Sequence, residues 1–418
     1  MVFILITVLI DMMGIGLVLP VLPSLVGEFT QDVATQAYWY GALTFTFGVT
    51  QFLCAPLLGA LSDRFGRRVV LLMSIGGLGT MFLLSALVRS LPALVATRVV
   101  GGAFASNISV ANAYVADITR PENRARSFGM VGAAFGVGFI LGPMVGGLVG
   151  GVGVRAPFFI ASALALVNFA YGLFVLPESL AVDERRAIDP RRVNPFAALL
   201  GLVQLKGVGM LVTVIALTNL SQFIVHSTWV LFNTFRFGWG PPENGLSFFL
   251  LGLTAAIVQG ALLGLLLRKL GERQLVRLGL LSATLGYVGY GLATHGWMMY
   301  VIMVANVLSF TVASALNAVV SKAAPANAQG LAMGSLSSLN SVTTVIGPLL
   351  GIPLFARVSH YPKMDIRVGA TFFLSATLSA VALGLASWHF GRERRGSGAR
   401  SPAPSRAPAA RARHPRTP

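Results

Sequence analysis

The chain has a single cysteine, Cys54, and only 14 acidic residues among its 418 positions. One cysteine excludes an intramolecular disulfide, and we expect Cys54 to serve as a small apolar packing residue. The sequence also lacks a G-x-x-x-x-G-K-[ST] phosphate loop and an H-E-x-x-H zinc motif. No Ser/His/Asp or paired-cysteine arrangement indicates an enzyme. We therefore expect no catalytic residues, no cofactor, no metal ion and no transport driven by ATP.

Apolar residues are abundant, at 55% of the chain, whereas charged residues make up only 11%. Runs of about 20 apolar residues, the length needed to cross a bilayer as a helix, recur along the sequence. They leave no room for a sizeable soluble domain. We predict an all-α membrane protein with twelve transmembrane helices, near residues 2–24, 37–61, 69–88, 92–116, 127–151, 155–176, 207–231, 244–267, 274–294, 297–320, 329–355 and 367–390.

The net charge of +17 is distributed unevenly between the loops. If the first helix starts inside the cell, 24 of the 31 Lys and Arg lie in cytoplasmic loops or in the C-terminal tail. Six lie in the opposite loops, and Arg98 falls within a helix. This is the positive-inside bias, so we predict an inner-membrane protein with both termini cytoplasmic and no nucleic-acid partner.

The sequence matches itself at an offset of 205 residues. The offset aligns residues 59–68 with 264–273, 109–115 with 314–320, and 142–146 with 347–351. We predict two pseudo-symmetric six-helix bundles at 1–176 and 207–390, a cytoplasmic linker at 177–206 and a disordered basic cytoplasmic tail at 391–418. Parallel halves of this kind enclose a substrate cavity near mid-bilayer and expose it to each side in turn by rocking.

Four stretches resemble motifs of the major facilitator superfamily and, within it, of the drug:proton antiporter branch that includes the tetracycline efflux pumps. They are "LIDMMGIGLVLPVLP" (9–23), "GALSDRFGRR" (59–68), "NAYVADITRPENRARSFG" (112–129) and "GFILGPMVGG" (138–147). The resemblance implies the major facilitator fold and proton-coupled efflux of lipophilic small molecules.

The loop motif between helices 2 and 3 is the predicted conformational latch. An aspartate there can accept hydrogen bonds from a helix N-terminus, and the resemblance implies that this is helix 11 in the outward-facing state. Either Arg67 or Arg68 is expected to pair with Asp117. Alternatively, the arginines only enforce topology. The latch residues are Gly59, Asp63, Arg64, Gly66, Arg67, Arg68 and Asp117.

Asp11 is the only acidic residue placed well inside a predicted helix, and Arg98 is the only basic one. Because a carboxylate in hydrocarbon is costly, Asp11 is expected to face a cavity or a partner. We predict that Asp11 carries the coupled proton with Arg98 as its partner. The alternatives are a permanent ion pair between these two residues, or direct contact of Asp11 with a cationic substrate.

The antiporter motif of helix 5 comprises Gly138, Gly142, Pro143, Gly146 and Gly147. The resemblance implies that it seals the interface between the halves, and ordinary small-residue packing is the alternative.

Polar or aromatic residues within predicted helices are the candidate substrate contacts. Hydrogen bonding between helices is the alternative role for each of them. His226 is also a second candidate for the proton site. These are Gln51, Phe104, Asn107, Gln222, His226, Trp229, Asn306 and Asn340.

The sequence departs from the tetracycline pumps at three places. Where those pumps have acidic residues in helices 3 and 9 and a histidine in helix 8, this chain has Met81, Ala283 and Ala255. A metal–tetracycline substrate is therefore not implied. Two other functions stay open: a facilitator or uptake carrier with structural Asp11 and Arg98, and a non-transporting scaffold or receptor. The expected partners are a small-molecule substrate, protons and the lipid bilayer, and the chain is expected to be a monomer.

Overall fold

The computed structural model describes residues 1–185, 209–323 and 329–398, and these residues fold into helices joined by short loops. The bounds agree closely with the predicted spans. The first half contains α1 (Val2–Val18, followed by a short helix Leu22–Gly27), α2 (Val33–Phe65), α3 (Arg67–Leu87), α4 (Leu91–Ile118), α5 (Arg124–Val152) and α6 (Ala156–Val175).

The second half continues with the same order of elements. It contains α7 (Gly209–Phe237), α8 (Pro241–Ile257, extended through a π-turn Val258–Leu262 to residue 270), α9 (272–292), α10 (Gly296–Ala305 with the turn Val307–Thr311 and the helix Val312–Ala323), α11 (Gln329–Val358) and α12 (Ala370–Gly398).

The described residues account for twelve spans. Nine helices are long and apolar enough to cross a membrane, and the bent α10 makes a tenth. One of the nine, Pro241–Leu292, turns at Gly271 and so supplies both α8 and α9, while α1 is apolar but only 17 residues long. The predicted all-α membrane fold with twelve helices is confirmed.

Two features repeat at the 205-residue offset. Gly66 and Gly271 both have positive φ, +103° and +72°, at the turns that join α2 to α3 and α8 to α9. This backbone conformation is one that glycine adopts readily and other residues avoid. In addition, α4 and α10 are each interrupted near the middle by a 3₁₀ turn, at Ala105–Asn107 and Val307–Thr311. The internal repeat is therefore visible in the backbone.

The buried apolar residues form three clusters that define the shape of the molecule. We call the end that carries residues 59–68 the motif end, and the opposite end the far end. At the far end one cluster joins both halves, with Leu17 and Leu43 of the first half packed together with Phe232 and Phe355 of the second. At the motif end each half has a separate cluster.

The contacts between the halves agree with this shape. Helix α5 packs on α8, and α2 packs on α11. Near the far end, Gly41 lies against Ile352 and Gly151 against Pro242. By contrast, no described atom lies within 4 Å of a side chain built at Gly132. Within the described ranges, the two bundles are thus joined at the far end and separated at the motif end.

Three expectations from the sequence need correction or fall outside the described residues. Helix α12 runs to Gly398, eight residues into the tail predicted to be disordered, because Arg and Glu at 392–395 are good helix formers. Most of the predicted linker, from 186 to 206, and the rest of the tail, 399–418, lie outside the described residues. Cys54 is only half-buried in α2.

Candidate transport site

Asp11 lies in the middle of α1 and is 4% exposed. The side-chain amide of Asn107 donates a hydrogen bond to its Oδ2, while Oδ1 has no partner among the described residues. Asn107 stands in the 3₁₀ turn that interrupts α4. Gln51 of α2 supports that turn by donating to the carbonyl of Ala105 over 3.2 Å, and its own carbonyl accepts from Ser106 over 2.8 Å. Three helices therefore converge on one carboxyl group.

The predicted partnership between Asp11 and Arg98 is wrong for this arrangement of the protein. Arg98 is buried, donates to Ser85 Oγ over 3.1 Å, and lies between the rings of Phe47 and Phe158 at 5.9 and 5.7 Å. It makes no ion pair with any described carboxylate. A permanent Asp11–Arg98 pair is therefore not what holds α1 to α4.

The reason is the depth of the two residues in the bundle. Asp11 is nine residues from the motif end of α1, and Asn107 is eleven residues from the motif end of α4. Arg98 lies nine residues further toward the far end, roughly 13 Å along the helix at 1.5 Å per residue. Neither side chain is long enough to close that gap.

The antiporter motif of α5 presents two faces. On one face, Gly138, Gly142 and Gly146 press against α1 so closely that a methyl group on any of them would collide with a backbone carbonyl there. On the other face, Gly147 meets Gly245 of α8, next to the carbonyl of Pro143. The motif thus joins the helix that carries Asp11 to a helix of the other half.

The predicted pairing of the loop motif with Asp117 is present, through Arg67. The guanidinium of Arg67 contacts Asp63, lies 3.2 Å from Asp117 Oδ2, and donates to Ser62 Oγ over 2.6 Å. Ser179 Oγ also donates to Asp117 over 3.1 Å. All of these residues belong to the first half or follow it directly. In this arrangement the network braces one bundle and does not bridge the two.

Glu178 is a member of this network that sequence reasoning missed. Its carboxylate accepts from the backbone N–H of Arg67 over 2.8 Å and of Arg68 over 3.3 Å, so it caps the N-terminus of α3. Arg68 donates to the carbonyl of Leu173 over 2.6 Å. The carboxylate of Glu178 occupies the space that a side chain at position 66 would need, which explains the glycine there.

Two other latch residues play smaller roles. Arg64 is exposed and lies over the ring of Phe65 at 5.2 Å. A side chain built at Gly59 would meet no described atom within 4 Å. The contact expected for Asp63 is with the start of helix 11. That region borders residues 324–328, which lie outside the described residues. That contact stays a prediction.

Several candidate substrate contacts belong to the packed interior. Trp229 is 2% exposed and donates to Ser247 Oγ over 2.9 Å within the far-end cluster. Asn306 is buried and accepts from Ser282 Oγ over 2.8 Å, beside the turn in α10. The ring of Phe104 packs against Gly77 of α3. For Trp229, Asn306 and Phe104 helix packing outweighs the cavity role, because each side chain is engaged by a neighbouring helix.

The remaining candidates are more accessible. His226 packs edge-on against Phe223 at 6.2 Å in α7 and is partly exposed. Gln222, one turn before it, is exposed. Asn340 lines a pocket of about 280 Å³ between α7, α10 and α11. These three stay candidates for contact with a substrate.

Two six-helix bundles that meet at one end, one of them with a buried carboxyl group among its own helices, are the arrangement of two-bundle membrane transporters. The sequence profile of the Major Facilitator Superfamily matches residues 4–348. The chain belongs to this superfamily, a family of transporters rather than of enzymes. The family predicted from the motifs is confirmed.

Individual relatives support the same placement. The chain is 38% identical over 369 residues to Tetracycline resistance protein, class C, of Escherichia coli, covering 88% of this chain and 93% of that protein. It is 31% identical to Multidrug resistance protein 2 of Bacillus subtilis (strain 168), covering 90% and 92%. The structure of the nucleoside transporter NupG superimposes with a TM-score of 0.74 at 14% identity, covering 93% of this chain and 98% of that one, and so shares the fold.

Proposed function

We propose that this protein is a proton-coupled exporter of lipophilic small molecules that works by alternating access. The observation that carries the proposal is Asp11, the one acidic side chain buried at mid-helix among the described residues. Its only described partner is a neutral amide, so no positive charge there compensates an ionised carboxylate. Binding a proton removes the cost of that buried charge. A movement of the bundles that hydrates Asp11 would let the proton leave.

The orientation of the protein in the membrane follows from the distribution of charge. Most Lys and Arg of the described residues lie at the motif end, so we assign that end to the cytoplasm, together with both termini. The separation of the bundles at the motif end then corresponds to an inward-facing arrangement. We also propose that the protein acts as a monomer in the inner membrane, since the two halves of one chain enclose the cleft.

The substrate class is inferred from the relatives and from the residues present. Proteins named for tetracycline and multidrug resistance are 38% and 31% identical to this chain, and tetracycline is therefore the first compound to test. However, Met81 packs beside Gly101, and Ala283 is buried. With Ala255 in α8 as well, these positions offer no carboxylate or imidazole to a metal complex, which favours an uncharged or cationic lipophilic substrate.

The test is drug accumulation in cells that lack their own efflux pumps. We expect the wild-type chain to lower the accumulation of tetracycline or another lipophilic drug, and a protonophore to abolish the effect. Asp11→Asn keeps the side-chain shape but does not exchange a proton, so it is expected to abolish export. Glu122→Gln is the matched control, because Glu122 is exposed in the loop before α5.

Export that survives both the protonophore and Asp11→Asn would refute proton coupling through Asp11. An uptake carrier would instead raise accumulation in the wild type. A non-transporting scaffold would give the same accumulation with and without the protein.

A further inference from the structure

The second half contains a cluster of amide side chains that the proton site does not use. A pocket of about 280 Å³ is enclosed by α7, α10 and α11. Its polar walls are Thr218 and Asn219 of α7, Asn317 of α10, and Ser337 and Asn340 of α11. The other lining residues are apolar, and no charged side chain lines it.

The three asparagines have unused hydrogen-bonding capacity. None of their side-chain amides has a hydrogen-bond partner among the described residues, and Asn317 and Asn340 are exposed while Asn219 is partly so. Each amide offers two N–H donors and one carbonyl acceptor. Amides without partners at membrane depth are costly unless water or a ligand binds them. Three from three helices around one cavity make a built site.

All of the residues that line the pocket belong to the second half, and one of its helices, α11, also contacts α2 of the first half. Toward the far end, α2 and α11 are in contact, and a methyl group built at Gly48 would lie 3.8 Å from Val345. Toward the motif end the helices separate, since a side chain built at Gly59 would meet no described atom within 4 Å. Asn340 lies on α11 just on the motif-end side of the contact with Gly48. The pocket is therefore open in the arrangement in which the bundles are separated.

We propose that this amide pocket is a substrate subsite that binds the neutral, hydrogen-bonding edge of a drug, namely its hydroxyl, keto or carboxamide groups. The assignment rests on the proposed function and refines it. At about 280 Å³ the pocket is smaller than a typical whole-ligand site, so it takes one ring or edge of the molecule. Substrate recognition by the second half is then separated from proton binding by Asp11 in the first.

The test is equilibrium binding of two probes to the purified protein in detergent. Tetracycline carries a continuous edge of hydroxyl, keto and carboxamide groups, whereas tetraphenylphosphonium is a lipophilic cation without hydrogen-bonding groups. We expect Asn219→Leu, Asn317→Leu and Asn340→Leu each to weaken tetracycline binding by roughly 2- to 12-fold, the value of one hydrogen bond. Tetraphenylphosphonium binding should change by less than about 2-fold, because it makes no hydrogen bond to lose.

Thr377→Val is the control, because Thr377 is exposed on α12 and donates only to the carbonyl of Phe373 in its own helix, over 2.9 Å. It should leave the binding of both probes unchanged. Size-exclusion profiles and thermal unfolding of each variant show whether it is folded.

Three outcomes would overturn the assignment. The first is unchanged tetracycline binding in the folded asparagine variants. The second is an equal loss of affinity for tetracycline and for tetraphenylphosphonium. The third is the absence of tetracycline binding by the wild-type protein. Binding in detergent requires no proton gradient. A selective loss of tetracycline binding in the asparagine variants would therefore support the subsite even if the protonophore left export unchanged. Unchanged export in the presence of the protonophore would refute the proposed function by itself.

Discussion

Closure of the far end depends on Gly147, where α5 of the first half meets α8 of the second. A methyl group at position 147 would lie 2.5 Å from the carbonyl oxygen of Pro241 and 2.8 Å from Cα of Gly245. Both are backbone atoms that do not yield as a flexible side chain does. Gly147→Ala therefore disfavours the arrangement in which the two halves touch at the far end.

The size of the effect follows from the cost of overpacking. One added methyl group in a well-packed contact costs about 1–3 kcal/mol. Opening the far end relieves that cost, so the ratio of far-end-open to far-end-closed molecules should rise roughly 5- to 150-fold. Gly132→Ala is the matched control on the same helix, since a methyl group there meets no described atom within 4 Å.

Spin-label distances measure this shift directly. In a Cys54→Ser background, labels at Gln31 and Met364 report the separation of the two halves at the far end, where both residues are exposed. We expect Gly147→Ala to move the distance distribution to longer values and Gly132→Ala to leave it unchanged. An unchanged distribution in Gly147→Ala, or the same shift in both variants, would refute the proposed role of this contact.

Three further predictions concern the proton site and the loop motif. Asn107→Leu removes the described hydrogen-bond donor to Asp11. Because a hydrogen bond to a charged group is worth about 1.5–3 kcal/mol, export measured by drug accumulation should fall at least about tenfold. Export at the wild-type level in this variant would contradict the role given to Asn107. Glu178→Ala removes the cap of α3 and should lower stability in thermal unfolding by about 1 kcal/mol. Glu122 makes no described hydrogen bond, so Glu122→Ala should lower stability by less than about 0.5 kcal/mol. Equal losses of stability in the two variants would argue against capping by Glu178. Gly66→Ala is destabilising for two reasons, the φ of +103° at this position and a collision of the new methyl group with Glu178. Glu178→Ala removes the collision, so Gly66→Ala should destabilise the protein less in a Glu178→Ala background. If the two substitutions lower stability additively, the collision is excluded.

The spans, their order and the internal repeat could be predicted from the sequence. The length of each apolar run and the positions of glycines are local signals. They do not depend on how neighbouring helices pack. The turn glycines at 66 and 271 illustrate this, because the 205-residue offset aligns them by sequence and both turns need a positive φ. The break at residues 105–107 carries no such signal, since no proline or glycine stands within it.

The partners of the charged residues were harder to predict. Composition singled out Asp11 and Arg98 as a pair, but their different depths place Asn107 beside the carboxylate instead. Counting residues from the helix ends would have shown this. Glu178 was missed for another reason: it follows α6 in sequence and reaches α3 only through tertiary packing.

In the proposed transport cycle the two bundles tilt about a cleft between them. Two spin-label pairs test it in one sample, one at Gln31 and Met364 at the far end and one at Glu122 and Lys269 at the motif end, all exposed positions. On addition of an exported drug, or on a change of pH that alters the charge of Asp11, we expect the far-end distance to lengthen as the motif-end distance shortens. Two distances that change together, or not at all, would contradict the account.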